Sequence, residues 1–188
     1  LNGTSIELSI QKSAIYEELK DEEKSIAVLL EVLEKDSLDI RILDRLVNLY
    51  INQKNNSQAI IYNKQIIDMY PEDPRGHINQ AIIAMANKSP EDAILSLSPH
   101  TNLFSENFTF QYLLGTAYYQ MKNYDSSKIY LENALGIFPQ SKNTKHNLAL
   151  IYDAIGKWDD SDKLYMELIA SDSTDAQAYN NYAYSLVE

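Results

Sequence analysis

The chain has 188 residues and a formal net charge of −11, from 16 basic and 27 acidic side chains. Hydrophobic residues make up 45% of it and charged residues 23%, which is typical of a folded globular protein and not of a disordered one. Because it contains no cysteine, disulfides, thiolate metal sites and thiol nucleophiles are excluded. The acidic balance argues against nucleic-acid binding, since each phosphate contact needs a Lys or Arg side chain. No apolar run reaches 18 residues, so the sequence predicts no membrane insertion.

The first residue is Leu and not Met, and we therefore expect the sequence to be a piece of a longer chain. Any signal peptide or lipid anchor would then lie outside it. The absence of cysteine is compatible with export from a bacterial cell but does not require it. The sequence therefore leaves the compartment open between the cytoplasm and a bacterial periplasm.

A 34-residue period runs through the chain without insertions. Tyr16, Tyr50, Tyr118 and Tyr152 are separated by 34, 68 and 34 residues. One phase fits this spacing, with repeats that begin at residues 6, 40, 74, 108 and 142 and a truncated repeat that begins at residue 176. Positions 8 and 20 of these repeats are occupied mostly by small residues, and position 11 mostly by Tyr. Because two helices approach closely only where side chains are small, each repeat is predicted to be a pair of antiparallel helices.

The pattern predicts eleven helices, of which the last is unpaired. The segment Thr4-Ser-Ile-Glu7 has the form of a capping box and predicts the start of the first helix. Pro71 and Pro139 occupy the same repeat position, and each is expected to end the second helix of its repeat.

The third repeat departs from this pattern in its second helix. Ser89-Pro90 predicts an N-cap followed by the first helical residue. Pro99 falls where the middle of the helix should be, so the helix is predicted to end at Leu97 or Ser98. Residues 99–106 are then expected to be irregular.

The fourth repeat carries the most specific motif, with Leu114-Gly115, Tyr118, Ala134 and Pro139 in order. This motif, with the period, resembles the tetratricopeptide repeat, and the resemblance extends over residues 6–188. It implies an all-α fold, a right-handed superhelical solenoid of antiparallel helix pairs, arranged as a single array over residues 1–188. It also implies that the first helices of the repeats line a concave groove that binds other proteins.

No catalytic motif is present: the chain lacks GxSxG, P-loop, HExxH and GxGxxG patterns. His146 and Asp153 could form a base and its orienting carboxylate, but they lie seven residues apart on one predicted helix without a nucleophile. Paired acids such as Asp159-Asp160 lie at predicted helix ends, where solvated charge is normal. The sequence therefore predicts a noncatalytic protein without a cofactor or a metal site.

What the resemblance implies is that repeat positions 2, 5, 6, 9, 12 and 13 face the groove. In this chain they are rich in Asn, which both donates and accepts hydrogen bonds, and in Tyr, which offers apolar area with a polar tip. Such a surface suits an extended peptide or a partner segment. The candidate binding residues are Arg41, Arg45, Asn48, Arg75, Asn79, Tyr112, Thr116, Tyr119, His146, Asn147 and Asn180.

The three arginines of the chain all fall on groove positions. Because Arg suits bidentate recognition of carboxylates, they suggest a ligand with an acidic group. The alternative is pairing with nearby acids, Arg41 with Asp44 or Arg75 with Glu72. The acidic-ligand hypothesis fails if every guanidinium group already has an internal carboxylate partner.

Two other functions remain open at this point. The chain could be a structural module that self-associates end to end, for which the open last helix and the acidic outer surface would be the relevant features. It could also be the targeting arm of an enzyme whose catalytic domain lies outside the sequence.

Overall fold

The computed structural model describes residues 2–36 and 39–187, with side chains for residues 6–34 and 39–187. Within these ranges the chain forms eleven α-helices and one 3-10 helix (Ser98–His100), and no strand. None of the described helices combines the length and hydrophobicity needed to cross a membrane. The helices are α1 (Asn2–Glu18), α2 (Glu22–Asp36), α3 (Ile40–Asn52), α4 (Asn56–Met69), α5 (Pro74–Ala86), α6 (Pro90–Leu97), α7 (Phe108–Gln120), α8 (Tyr124–Ile137), α9 (Lys142–Ala154), α10 (Trp158–Ser171) and α11 (Ala176–Ser185).

The helix boundaries follow the 34-residue period. From α3 onward, every first helix begins at the first residue of its repeat, and every second helix begins at position 17. The exception is α1, which begins at Asn2, so the prediction that a capping box at Thr4 opens this helix is wrong.

The chain divides into two compact units, residues 1–83 and 84–188, and the single array therefore stays a prediction.

Polar residues at position 34 of one repeat cap the first helix of the next. The Ser141 side chain, for example, accepts a hydrogen bond from the backbone N–H of Thr144 and so satisfies a donor of the first turn of α9. Ser89 precedes α6 and Pro90 opens it, as predicted, but the Ser89 side chain makes no capping hydrogen bond. The residues at position 34 are Asp39, Asp73, Asn107, Ser141 and Asp175.

Helices α4, α6 and α8 end where the sequence predicts. Helices α4 and α8 end at Met69 and Ile137, two residues before a proline. Helix α10 ends at the same repeat position without a proline, so proline is not required for this stop. Helix α6 ends at Leu97, and residues 98–106 form the 3-10 helix and turns. One ring in these turns, Phe104, is buried and packs edge-on against Phe110 with a centroid distance of 5.4 Å.

Small residues allow the two helices of a repeat to cross closely. The Ser127 hydroxyl of α8 donates to the Gly115 carbonyl of α7 at 2.6 Å, and both residues are buried. Beside this crossing, the Tyr118 and Tyr130 rings stack with a centroid distance of 5.5 Å and an interplanar angle of 2°. The Tyr50–Tyr62 pair of the second repeat repeats this stacking at 5.6 Å and 3°.

The turn inside each repeat passes through one residue with positive φ. This residue is always at position 15, with φ of 57 to 59° at four lysines and 73° at Gly156. At Lys122 the N–H donates to the Tyr119 carbonyl at 2.9 Å, and the next N–H, of Asn123, donates to the Tyr118 carbonyl at 3.0 Å. These two bonds close a Schellman motif, which satisfies the last carbonyls of the helix. The other lysines of this set are Lys20, Lys54 and Lys88.

We expect Lys122→Gly to raise the free energy of unfolding by about 0.5–1 kcal/mol. Left-handed backbone costs a residue with a Cβ about 1–2 kcal/mol, and the greater freedom of glycine in the unfolded chain offsets part of that relief. Lys122→Ala keeps the Cβ and serves as the matched control, with little change expected. Urea unfolding of the three proteins measures the difference, and equal stability of the Gly and Ala variants would contradict the prediction.

Candidate peptide-binding site

In the first unit, residues at the predicted groove positions line one groove of about 490 Å³. Helix α3 supplies most of its wall, because positions 2, 5, 6, 9 and 13 of this helix lie on the same face. Helices α1 and α5 contribute the rest. The lining residues are Ile10, Glu17, Arg41, Asp44, Arg45, Asn48, Leu49, Asn52 and Arg75.

Arg41 and Arg75 are each held by the N-cap aspartate of their own helix. Nε and Nη2 of Arg41 donate to the Asp39 carboxylate at 3.0 and 2.8 Å. Those of Arg75 donate to the Asp73 carboxylate at 2.9 and 2.7 Å. Through these hydrogen bonds the guanidinium groups lower the pKa values of Asp39 and Asp73 below that of an ordinary aspartate. Both arginines are thus bidentate partners of an internal carboxylate.

Arg45 joins α3 to the first helix pair. Its Nη2 lies 2.6 Å from Oε1 of Glu17, and its Nε donates to the Ser13 hydroxyl at 2.8 Å. The Ser13 hydroxyl lies 2.8 Å from the Ser25 hydroxyl, and both serines are completely buried. Arg45 therefore belongs to a structural hydrogen-bond network that connects α1, α2 and α3.

These pairs argue against the acidic-ligand hypothesis, because each guanidinium group already has an internal carboxylate partner. The partners are Asp39, Glu17 and Asp73, and not Asp44 or Glu72, which the sequence suggested. With Asp44 in the groove wall, three positive charges face four carboxylates. The groove is close to electrically balanced and has no positive patch.

The amide side chains of the first unit differ in their accessibility. Asn79 is 3% exposed, and its Nδ2 donates to Oδ1 of Asp44 at 2.8 Å, so it has a structural role. Asn48 is exposed, with its Nδ2 bonded to the Asp44 carbonyl at 2.8 Å. Asn52, which the candidate set did not include, is also exposed in the groove. Asn48 and Asn52 are therefore the amides that a ligand can reach.

In the second unit, the structure brings Tyr112 of α7 and Asn147 of α9 together. Nδ2 of Asn147 donates to the Tyr112 hydroxyl at 3.3 Å, and both side chains are partly exposed. The Thr116 hydroxyl donates its hydrogen to the Tyr112 carbonyl at 2.8 Å, so it has no hydrogen left to donate to a ligand. Tyr119 is partly exposed, and burial raises the pKa of its hydroxyl. Asn180 is exposed but lies in a different pocket, of about 590 Å³, on α11.

The prediction that His146 faces a ligand is wrong. This side chain is 6% exposed, and its Nε2 lies 2.9 Å from Oδ2 of Asp175, whose other oxygen caps α11. Its Nδ1 is buried and has no hydrogen-bond partner among the described residues. Asp153 is not its partner and instead accepts hydrogen bonds from Tyr165 and Ser185. His146 therefore connects α9 to α11.

A pocket with three aromatic rings in the second unit was not anticipated from the sequence. It has a volume of about 340 Å³ and lies where α7 begins, α8 ends and α9 begins. Its signal in the sequence is the pair Phe108 and Phe138, two large apolar residues at helix ends. Among the described residues, no three His, Cys, Asp or Glu side chains are arranged to hold a metal ion. The aromatic pocket is lined by Phe108, Tyr112, Phe138, Gln140, Ser141, Lys142 and Asn143.

Comparison with known proteins agrees with this fold. Residues 108–141 match the family model of the tetratricopeptide repeat. Among curated proteins, no sequence matches the chain. The tetratricopeptide-repeat (TPR) protein TTC0263 of Thermus thermophilus is 16% identical over 100% of both chains, with a TM-score of 0.72. A tetratricopeptide repeat protein of Parabacteroides merdae is 19% identical over 97% of this chain and 72% of its own, with a TM-score of 0.76.

A third similar structure is YrrB, described as a TPR protein with an unusual peptide-binding site. It is 13% identical over 92% of this chain and 89% of its own, with a TM-score of 0.68. At these identities the likeness shows the fold alone. Residues 108–141 thus match a tetratricopeptide repeat, and the chain as a whole has the all-α fold of helix pairs seen in tetratricopeptide-repeat proteins.

Proposed function

We propose that the chain is a noncatalytic scaffold whose first helices bind an extended peptide or a segment of a partner protein. The tetratricopeptide-repeat fold is that of protein-interaction scaffolds. The observation that carries the proposal is the groove of the first unit, in which six of the nine lining residues belong to α3. A groove of about 490 Å³ has the size of a specific binding site.

The exposed polar groups of this groove suit a peptide backbone. Asn48 and Asn52 offer amide groups that donate and accept hydrogen bonds without regard to the ligand's side chains. Ile10 supplies apolar area in the same groove. Since the arginines are already paired, we expect the ligand to be held by hydrogen bonds and apolar contact, with little dependence on salt concentration.

The second unit offers a separate surface of similar chemistry. The contact between Asn147 and Tyr112 orients both side chains, and Tyr119 lies on the same helix as Tyr112. Tyrosine provides contact area at low cost in conformational entropy. We assign the second unit the same kind of ligand, an uncharged extended segment.

The test is selection from a random peptide library displayed on phage, followed by measurement of affinity for the selected peptides. We expect Asn48→Ala and Tyr119→Ala each to weaken binding of peptides directed to its own unit by about tenfold, because each removes a side chain that is exposed or partly exposed at a groove position. Gln80→Ala is the matched control for Asn48, since Gln80 is an exposed amide of a first helix that is not at a groove position.

Selection of no peptide, or peptides whose affinity responds equally to Asn48→Ala and Gln80→Ala, would contradict binding in the first groove. A strong decrease in affinity between low and high salt would also contradict it, since that result requires unpaired charges.

End-to-end self-association is the second candidate. It is favoured by the apolar side chains that α11 and the residues after it leave in solvent, with Leu186 66% and Val187 83% exposed. Sedimentation over a concentration series separates the two functions. A mass that rises with concentration supports assembly, whereas a constant monomer mass supports a scaffold for other proteins.

A further inference from the structure

The aromatic pocket of the second unit is built from rings on two helix ends. The Phe108 and Tyr112 rings stack, with centroids 5.8 Å apart and an interplanar angle of 14°. Phe138 stands at right angles to Phe108, with centroids 5.6 Å apart and an interplanar angle of 88°. The three rings therefore form the walls of a corner that is open to solvent.

Packing of the hydrophobic core does not account for this arrangement. The chain has four phenylalanines, and two of them, Phe104 and Phe110, are buried. Phe138 is 50% exposed and Phe108 only partly buried. Two neighbouring phenylalanines that stay partly exposed on the folded chain leave an apolar surface that a ligand can contact.

The pocket offers no unpaired charged side chain to an ionic ligand group. Lys142 is the charged residue among its lining residues, and its Nζ is paired with the Asp172 carboxylate at 2.8 Å. No acidic side chain in the lining adds to the attraction of the rings for a cation. The occupant that fits these walls is therefore uncharged and apolar.

Hydrogen-bond donors stand beside the rings. The Tyr112 hydroxyl accepts a hydrogen bond from Asn147, which leaves its own hydrogen to donate. Gln140 and Asn143 place exposed amides in the lining. A ligand that presents unpaired backbone carbonyls next to an apolar ring would satisfy both the rings and the donors.

We propose that this pocket binds a proline of an extended, polyproline-II-like segment. The segment packs the flat apolar face of the prolyl ring into the corner of Phe108, Tyr112 and Phe138. Its neighbouring carbonyls accept from Tyr112 and from the amides. Polyproline II has no internal hydrogen bonds, so its carbonyls are available to such donors. This inference rests on the proposed function and names the substrate class of its second surface.

The shallowness of the pocket favours proline over a flexible apolar side chain. A corner in which Phe138 stays half exposed buries little area, so the ligand must lose little conformational entropy on binding. A proline-rich segment is already extended before it binds, and aromatic grooves with adjacent donors exploit this property. A flexible leucine- or methionine-bearing segment would lose more entropy for the same contact.

The test is titration of the full 188-residue chain with a decaproline peptide, followed by NMR chemical shifts. Binding is expected to be saturable, with the largest shifts at the residues of the pocket. Phe138→Ala and Phe138→Leu should each weaken binding by about tenfold, because both remove the ring. The control is Ile129→Ala in α8, the helix that Phe138 follows, which removes an apolar side chain of comparable exposure, 56%, and should leave the affinity unchanged.

Circular dichroism establishes that the variants are folded, and the Leu variant keeps apolar bulk at the position. Absence of binding at about 1 mM decaproline, or equal effects of the Phe138 and Ile129 variants, would overturn the proposal. If the peptide library yields proline-free ligands that depend on Asn48 or Tyr119 while decaproline does not bind, the proposed function stands and this inference fails. If neither decaproline nor any library peptide binds, both fail.

Discussion

Gly115→Val is expected to lower the free energy of unfolding by more than about 3 kcal/mol, enough to unfold much of the second unit. A Cβ at residue 115 would lie 2.5 Å from Cγ and 3.1 Å from the backbone nitrogen of Leu131. The Leu131 side chain is completely buried, and the backbone of α8 is part of a helix, so neither can move away from the added Cβ. The added atoms therefore force α7 and α8 apart at their crossing, which also breaks the Ser127 hydrogen bond to the Gly115 carbonyl.

Gly136→Ala is the matched control, because it adds a Cβ to a glycine of α8 that has no atom within 4 Å of the new position. It should raise stability by about 0.5–1 kcal/mol, since alanine is the better helix former. Urea unfolding followed by circular dichroism measures both variants. A Gly115→Val protein as stable as Gly136→Ala would show that the helices do not cross this closely.

The helix boundaries could be predicted from the sequence because the period repeats without insertions. Once Tyr16, Tyr50, Tyr118 and Tyr152 set the phase, the starts of the later first helices follow from local patterns of small and apolar residues. The start of α1 does not follow this pattern: Ser5 stands where the later repeats have their capping residue, yet α1 already begins at Asn2. A capping motif alone does not determine where a helix begins when the residues before it can also be helical.

The side-chain partners at the site were harder to predict, because the arginines do not pair with carboxylates three or four residues away on the same helix. Asp44 lies three residues after Arg41. The actual partner of Arg41 is Asp39, which lies two residues before Arg41 and caps the helix. The same Asp-x-Arg sequence stands at Asp73 and Arg75, so the signal was present in the sequence at the repeat period. An N-cap carboxylate lies close to the side chain two residues later in the first turn of the helix. The two groups can therefore pair although they are not three or four residues apart.

Burial of polar groups depended on residues far apart in sequence. His146 is paired with Asp175, 29 residues later, and Asn79 with Asp44, 35 residues earlier. Repeat positions predict which way a side chain points, but not whether a neighbouring helix covers it. The packing of the helices therefore removes His146 and Asn79 from the candidate site and adds the aromatic pocket, whereas Asn52 already stands at a predicted groove position.

Asp153→Ala is expected to lower the free energy of unfolding by about 2–3 kcal/mol, because it removes an acceptor shared by three helices. Its carboxylate on α9 accepts from the Tyr165 hydroxyl of α10 at 2.8 Å and from the Ser185 hydroxyl of α11 at 2.9 Å. Tyr165 is completely buried, so the variant leaves its hydroxyl without this acceptor in an apolar environment. Urea unfolding at pH 8 measures the loss.

A double-mutant cycle with Tyr165→Phe separates the hydrogen bond from the packing around it. Tyr165→Phe alone should cost about 1 kcal/mol, and Asp153→Ala should cost less when it is combined with Tyr165→Phe, since no hydroxyl is then left unpaired. Additive losses would mean that the hydroxyl and the carboxylate do not depend on each other.

The same pair predicts how stability changes at alkaline pH. Burial, followed by the hydrogen bond to the Asp153 carboxylate, raises the pKa of Tyr165 above its ordinary value of 10.0. A folded pKa above the unfolded one means that this stabilisation is fully present below pH 10 and is lost as the pH rises above it, because the unfolded chain ionises first. Tyr165→Phe should therefore reduce the fall in stability between pH 8 and about pH 11. An unchanged slope in this variant would assign the alkaline loss to other tyrosines, among which Tyr152 also has a raised pKa.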